Sequence, residues 1–377
     1  MIPRFKPDLD LQEIIAALTP PHKDDVERFE QAFAEKMEQR HAIAFPYGRT
    51  GLMLLLEAMG LKGKEVICPA YTCVVVPHAI VFSGNTPVFV DCEEGGFNMD
   101  LNLVPEVITS NTGAIIATSI FGYPVDLDKL DSLRNKYPHI KIIQDCAHSF
   151  AAKWKGRHVQ KAGDAAIFGL NISKIITSIF GGMVTTDNDE LADKLRRLRN
   201  ERLKSASLMK SLRRLLYLLA VYPAFWKPIY GIIYRMERAG LLNKFVKYYN
   251  ENIIDMPKDY LQAMSKLEAR VGIVQTQKYD KVVSMRIQKA FEWYENLQNE
   301  NDIKLPPMVD GATYSHFVCI ANDRKAVMEK WRKKGIQLGQ IIEYCIPYMK
   351  AYSKYRVKEF PFALKYSNTT VNFPLGK

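Results

Sequence analysis

Between residues 41 and 187 short apolar runs alternate with helix-like runs, and no other feature of the chain restricts its fold as much. His41–Phe45, Glu65–Pro69, Thr86–Cys92, Gly113–Ile120, Lys141–Asp145, Ala165–Leu170 and Gly182–Thr186 read as strands. Leu52–Met59, Val74–Phe82, Leu127–Lys136 and Glu190–Arg199 read as helices. Strands joined by a tight turn pair antiparallel, whereas a helix between two strands allows a parallel crossover. The pattern therefore predicts an α/β chain with a mainly parallel sheet between helices. Turn residues at Gly84-Asn85, Gly95-Gly96 and Gly122-Tyr-Pro124 fall between the runs.

The rhythm breaks after residue 203. We read residues 1–203 as an N-terminal segment with the large domain, 204–250 as a basic, aromatic-rich helical insertion, and 251–377 as a smaller α+β domain. In the last, Tyr260–Tyr279 and Val283–Gln298 read as helical, Ser315–Ala321 as a strand and Arg324–Lys334 as a helix. The net charge of +11 is concentrated: ten basic residues and one acid, Glu237, lie between Arg202 and Lys247, against 42 and 40 elsewhere. A basic patch confined to one segment does not suggest nucleic-acid binding. Leu208, Leu212, Leu215 and Leu219 share one helical face, while Lys210, Arg213 and Arg214 lie elsewhere. The charge-free run Leu215–Trp226 is shorter than the roughly 20 residues a membrane span needs. Tyr217, Tyr222, Trp226, Tyr230 and Tyr234 are of the kind found at membrane–water interfaces. Residues 204–248 are thus expected to lie on an anionic membrane surface. The competing reading packs the same apolar face on the protein body or in a dimer interface.

Six cysteines, none in a CxxC pair, stand mostly in apolar runs, so neither a disulfide framework nor a metal site is expected. The first residues carry no apolar core of signal-peptide length. These features place the chain in the cytoplasm, with peripheral attachment to the inner face of the cell membrane through the insertion.

Three positions could carry chemistry. Lys174, in Asn171-Ile-Ser-Lys-Ile-Ile-Thr, has apolar neighbours on both sides. Desolvation lowers a lysine pKa and makes it a nucleophile for carbonyls, although a lysine snorkelling from a strand end fits the same window. Asp145 ends an apolar strand, where α/β folds bind ligands, and could keep a pyridine nitrogen protonated or cap the next helix. Gly48-Arg49-Thr50-Gly51 opens an apolar helix, and its amides and the Thr50 hydroxyl make an anion site or a plain N-cap.

Taken together these residues resemble the sugar aminotransferase family called DegT/DnrJ/EryC1/StrS, within the fold-type-I pyridoxal-phosphate (PLP) transferases. The resemblance runs from about Phe45 to Asn200 through Tyr47-Gly-Arg-Thr-Gly51, Cys68-Pro-Ala-Tyr-Thr72, Thr86-Pro-Val-Phe-Val-Asp91 and Phe121-Gly-Tyr-Pro124. It continues in Gln144-Asp-Cys-Ala-His148, Lys155-Gly-Arg157, Gly163-Asp-Ala-Ala166, Lys174 and Gly181-Gly-Met-Val184. It fades over 202–250 and returns at Met264-Ser-Lys-Leu267 and His316.

The resemblance implies that Lys174 holds pyridoxal 5'-phosphate covalently and moves the proton, and that Asp145 pairs with the pyridine nitrogen. It places His148 beside the ring, and Gly48, Arg49 and Thr50 at the phosphate. Cys73 stands where relatives stack an aromatic on the ring. Tyr71, Tyr314, His316 and Glu343 are candidates for substrate contact. Three further features depart from the family. Gly169 replaces a phosphate-binding serine, and Leu261-Gln-Ala-Met264 replaces an Asn-Tyr-Arg-Met stretch that reaches the partner's cofactor. The chain also stops at Lys377, where relatives usually continue into another helix, which reads as a shortened C-terminus. The expected protein is a homodimeric aminotransferase taking nitrogen from glutamate to a keto-sugar, nucleotide- or lipid-linked, for surface polysaccharide or glycolipid. The alternatives are a PLP-dependent sugar dehydratase, disfavoured by Lys174, and a non-catalytic PLP-binding sensor or scaffold at the membrane.

Overall fold

A computed structural model describes residues 1–239 and 249–376, so residues 240–248 of the expected insertion lie outside the described residues. The central sheet is built from β1 (His41–Phe45), β2 (Glu65–Pro69), β3 (Thr86–Val90), β4 (Thr112–Thr118) and β5 (Lys141–Asp145). The short hairpin β6 (Lys153–Trp154) and β7 (Arg157–His158) stands apart, and β8 (Ala165–Gly169) and β9 (Gly182–Thr186) complete the sheet. Its strand order is β1-β9-β8-β5-β4-β2-β3, and only β9 runs against the others. This agrees with the expected mainly parallel sheet.

Both faces are covered, because alternate side chains of a strand enter opposite cores. In β4, Ala114 and Ile116 join one apolar cluster while Ile115 and Ala117 join the other. The first cluster takes in the buried flank of α3 (Gly48–Ala58), with Leu52 to Leu56 all buried, and α4 (Val75–Phe82). The second packs against α2 (Asp25–Lys36) and α5 (Leu127–Lys136), whose start Asp126 caps. These two helices and α1 (Leu11–Leu18) complete the N-terminal half, with α6 (Asp189–Arg202) following β9.

The segment after α6 forms α7 (Leu208–Ala224) and α8 (Lys227–Arg238). The two helical runs expected after residue 260 form one helix, α9 (Lys266–Asn296). It begins later than expected because Ser265 and Glu268 make a reciprocal capping box. Residues 261–263 instead bond to the backbone of Lys204. Beyond it, β10 (Ile303–Lys304), β11 (Phe317–Ala321) and β12 (Thr370–Phe373) form an antiparallel sheet with α10 (Arg324–Lys333) and α11 (Pro361–Thr369). The Pro- and Tyr-rich tail has no periodic signal for α11 and β12, so sequence reasoning missed both.

Candidate active site

The carboxyl ends of β5 and β8 bring Asp145 and Lys174 into one space. Asp145 is buried, with its carboxylate held by the Thr118 hydroxyl (3.3 Å) and the Ala147 amide (3.0 Å). Lys174 sits half-buried in the loop after β8, which closes on itself where the Ser178 amide and the Thr177 hydroxyl donate to the Leu170 carbonyl. Burial lowers the Lys174 pKa, while Cys73 and Asp145 pull it back up. Burial raises Asp145, while the Ala147 amide and Lys174 oppose. Both groups are pushed toward neutrality and kept partly charged by each other, a condition in which protons move at low cost.

Gly169 leaves room for that lysine. A Cβ there would stand 3.2 Å from Lys174 Cε, so any larger residue would crowd the lysine. Gly182 permits the neighbouring contact: its Cβ would fall 2.2 Å from the Gly48 amide nitrogen, where β9 crosses the start of α3. The first turn of α3 thereby lies directly against the strands on either side of the lysine loop.

His148 follows Asp145 and is buried. Its ring stacks on Phe121 (5.9 Å, 18°), and the Phe121 amide donates to Nδ1 (3.3 Å). An accepting Nδ1 assigns the remaining proton to Nε2. Burial keeps the ring well below its ordinary pKa, with Lys174 and His316 adding to the effect. Phe121 reaches this position with φ at 55°, a left-handed conformation that a phenylalanine seldom adopts. His316 comes from the start of β11 to within 5.2 Å of His148, ring centre to ring centre. Behind it the buried Arg286 of α9 donates to the Ser315 carbonyl (2.9 Å), while its Nε finds no partner among the described residues. Burial lowers that guanidinium to about 10.

The sequence missed Thr118, Phe121 and Arg286 as contributors. Phe121 stood inside a quoted motif, but only its contact with His148 reveals what it does.

Of the other expected site residues, Cys73 lies close enough to Lys174 to act on its charge, and Arg49 and Thr50 stand at the start of α3. The Thr50 hydroxyl donates to the Tyr260 carbonyl (3.0 Å) and its amide to the Tyr47 carbonyl, so this side chain has no proton left for a phosphate. Arg49 is half-buried beside it, and its guanidinium makes no hydrogen bond or ion pair among the described residues. Tyr71 packs edge-on against Phe121 (6.1 Å between ring centres), and Tyr314 lies against Tyr123 (5.6 Å). Both are buried in the core, Tyr71 bonding Thr370 Oγ1 (3.1 Å) and Tyr314 bonding the backbone of Val309. Glu343 is exposed and accepts from the Tyr249 hydroxyl (3.1 Å). Cys73 is half-buried at the start of α4, next to Val74, whose amide donates to the Tyr344 hydroxyl.

These residues suit pyridoxal phosphate: an amine of lowered pKa, a buried carboxylate, a neutral histidine over an aromatic ring, and at a helix start a guanidinium unpaired among the described residues. Sequence comparison with protein families matches residues 10–377 to the model of the DegT/DnrJ/EryC1/StrS aminotransferase family. The chain belongs to that family. A GDP-perosamine synthase of Caulobacter vibrioides is 31% identical over 268 residues, 71% of this chain and 60% of that protein. One from Escherichia coli O157:H7 is 32% identical over 212 residues, 56% of this chain and 54% of that protein. The aligned segments thus span a little over half the length of these relatives. Among solved structures, DesV of S. venezuelae matches with a TM-score of 0.76 at 22% identity, covering 99% of this chain and 92% of that one. The Streptococcus pneumoniae sugar aminotransferase Spr1654, in its PLP form, matches with a TM-score of 0.77 at 18% identity, covering 100% and 94%. These structures share the fold of a PLP sugar aminotransferase with this chain.

Proposed function

We propose that the chain is a PLP-dependent aminotransferase that takes an amino group from glutamate and delivers it to a keto-sugar. The observation that carries this reading is Lys174 beside the buried carboxylate of Asp145 at the carboxyl ends of parallel strands. When bound, pyridoxal phosphate supplies an electron sink for the bond that breaks at the amino donor. The chain supplies the rest. Lys174 holds the cofactor and, as a free amine of lowered pKa, takes the proton from the donor's α carbon at Nζ. Asp145 stands where it keeps the pyridine nitrogen protonated. His148, neutral and protonated at Nε2, offers a donor beside the ring.

Gly169, Leu261 and Ala263 offer a phosphate no polar side chain, so Arg49 and the start of α3 hold it instead. Cys73 flanks the cofactor in place of an aromatic ring, and His316 stands on the substrate side. The sugar is carried by a nucleotide or a lipid, and its product enters surface polysaccharide or glycolipid. The GDP-sugar named for the Caulobacter relative, and the TDP-sugar product named for the structural relative DesI, support a nucleotide-linked sugar as the amino acceptor. We place the working enzyme as a homodimer in the cytoplasm, at the inner face of the membrane.

A lysine at position 174 disfavours the dehydratase reading, since dehydratase relatives carry histidine there. The non-catalytic sensor is favoured by one observation, the Thr50 hydroxyl turned away from the phosphate position. Turnover decides. Steady amination of a nucleotide-linked keto-sugar with glutamate supports the enzyme, while cofactor binding without response to any amino donor leaves the sensor.

A further inference from the structure

The helix α7 is amphipathic the wrong way round. Its buried stripe, four residues apart, is Lys210 (4% exposed), Arg214 (9%) and Leu218 (0%). Its outer stripe is Leu208 (90%), Leu212 (47%), Leu216 (57%) and Leu219 (41%). The competing expectation, a leucine face packed on the protein body, fits only the half-buried Leu215, and the reason lies in what the two inner cations find. The Lys210 ammonium donates to the carbonyls of Gln262 and Ala263, both at 2.8 Å. The Arg214 guanidinium bonds Glu268 (3.0 Å), Asp259 (2.8 Å) and the Tyr47 hydroxyl (2.8 Å), and lies 4.1 Å from the Phe180 ring centre. Leucines are left facing outward because charged groups have occupied the inner side with satisfied partners.

The second helix continues the surface. α7 and α8 meet at a bend of 106°, and no single described helix is long and apolar enough to cross a membrane. α8 is tied down by its polar side: Glu237 pairs with Arg4 (2.8 Å), and Tyr230 bonds Gln337. The one acid of the segment is thereby neutralised, while Trp226, Ile232 and Met236 stay exposed. Lys204, Arg213 and Arg235 are exposed and form no ion pair among the described residues.

We infer that the α7–α8 elbow seats the protein on an anionic lipid surface, with the leucines and Trp226 entering the headgroup boundary and the free cations meeting lipid phosphates. An apolar stripe edged by unpaired cations and an aromatic belt fits such a surface. A second copy of the chain fits less well. A twofold contact through this face would set the same cations against each other, and like charges facing across an interface oppose association. The inference extends the membrane setting proposed above, but it does not depend on the amino-transfer reading.

Sedimentation of the full-length, cofactor-loaded protein with vesicles tests it. The probes are vesicles of equal parts phosphatidylglycerol and phosphatidylcholine, and vesicles of phosphatidylcholine alone. The protein should pellet with the first, release as salt rises, and stay in solution with the second. The double variant Leu212→Gln with Leu216→Gln should lower partitioning roughly tenfold or more, the factor expected from losing one leucine's worth of apolar burial. Its melting temperature and visible absorption should not change, since both positions are exposed. No pelleting with anionic vesicles would overturn the inference, and so would pelleting that the double variant leaves intact. A variant that dissociates the oligomer while neither protein binds vesicles would assign the face to a second copy. Glutamate response measured on the same preparation keeps this outcome separate from that of the proposed reaction.

Discussion

Half-buried Lys174 and buried Asp145 share one space, where each is driven toward its neutral form and partly rescued by the other. Replacing Asp145 with asparagine keeps the size and an acceptor for Thr118 and Ala147, but removes the charge. We predict that Asp145→Asn lowers the rate of the glutamate half-reaction by on the order of a thousandfold, within the range for losing one positioned proton-transfer or charge-stabilising group. The visible cofactor band should persist, and an unchanged single-turnover rate would contradict the role. At this scale much of the site was legible. Apolar context and strand-end position singled out Lys174 and Asp145 but left a second reading open for each, and His148 came from the family resemblance; the structure brings the three together. Thr50 was misread because the acceptor that takes its hydroxyl proton, the Tyr260 carbonyl, is 210 residues away. Arg286 was invisible for the same reason: its meaning comes from Ser315 and His316, on another element.

Among the elements, α7 and α4 carry the next two predictions. Arg214 locks α7 to Glu268, which is fully buried, and to Tyr47, the residue just before α3. Losing one partner of a buried pair leaves an uncompensated charge, so Arg214→Met should cost about 3–5 kcal/mol in urea unfolding. It should also weaken cofactor binding, because Tyr47 loses its hold. A loss below about 1 kcal/mol would show that the pair does not anchor the helix. On α4, burial pulls His78 down to about 4, and the Arg49 charge acts in the same direction. Asp255, 3.8 Å from Nε2, is half-exposed and too weakly placed to reverse this. Below its ordinary pKa near 6.5, the unfolded chain takes up a proton that folded His78 refuses, so stability falls as pH falls. The contribution is full above about pH 6.5, and about 1.5 kcal/mol of it should be lost between pH 6.5 and 5. His148 and His316 shift in the same direction and add to the loss. A plot of melting temperature against pH should be flatter for His78→Gln than for the unaltered chain, and parallel curves would contradict the assignment.

For the whole molecule, the sheet was legible because its strands are short, apolar and separated by helical runs. That pattern leaves few ways to cover both faces. The antiparallel run of β9 was not legible, since strand direction depends on the crossover geometry rather than on side-chain alternation. The hydrophobic periodicity of α7 was seen, but its orientation could not be, because a leucine stripe and a cation stripe can each face inward if partners exist. Solution mass provides another test at this scale. The homodimer reading requires twice the chain mass by sedimentation, and the mass of a single chain would contradict it.

The most direct test of the account is the absorption spectrum of the purified protein with pyridoxal phosphate, before and after L-glutamate, beside Lys174→Ala. We predict a visible band that requires Lys174 and bleaches when glutamate is added. No lysine-dependent band, or a band indifferent to every amino donor, would contradict the proposed chemistry.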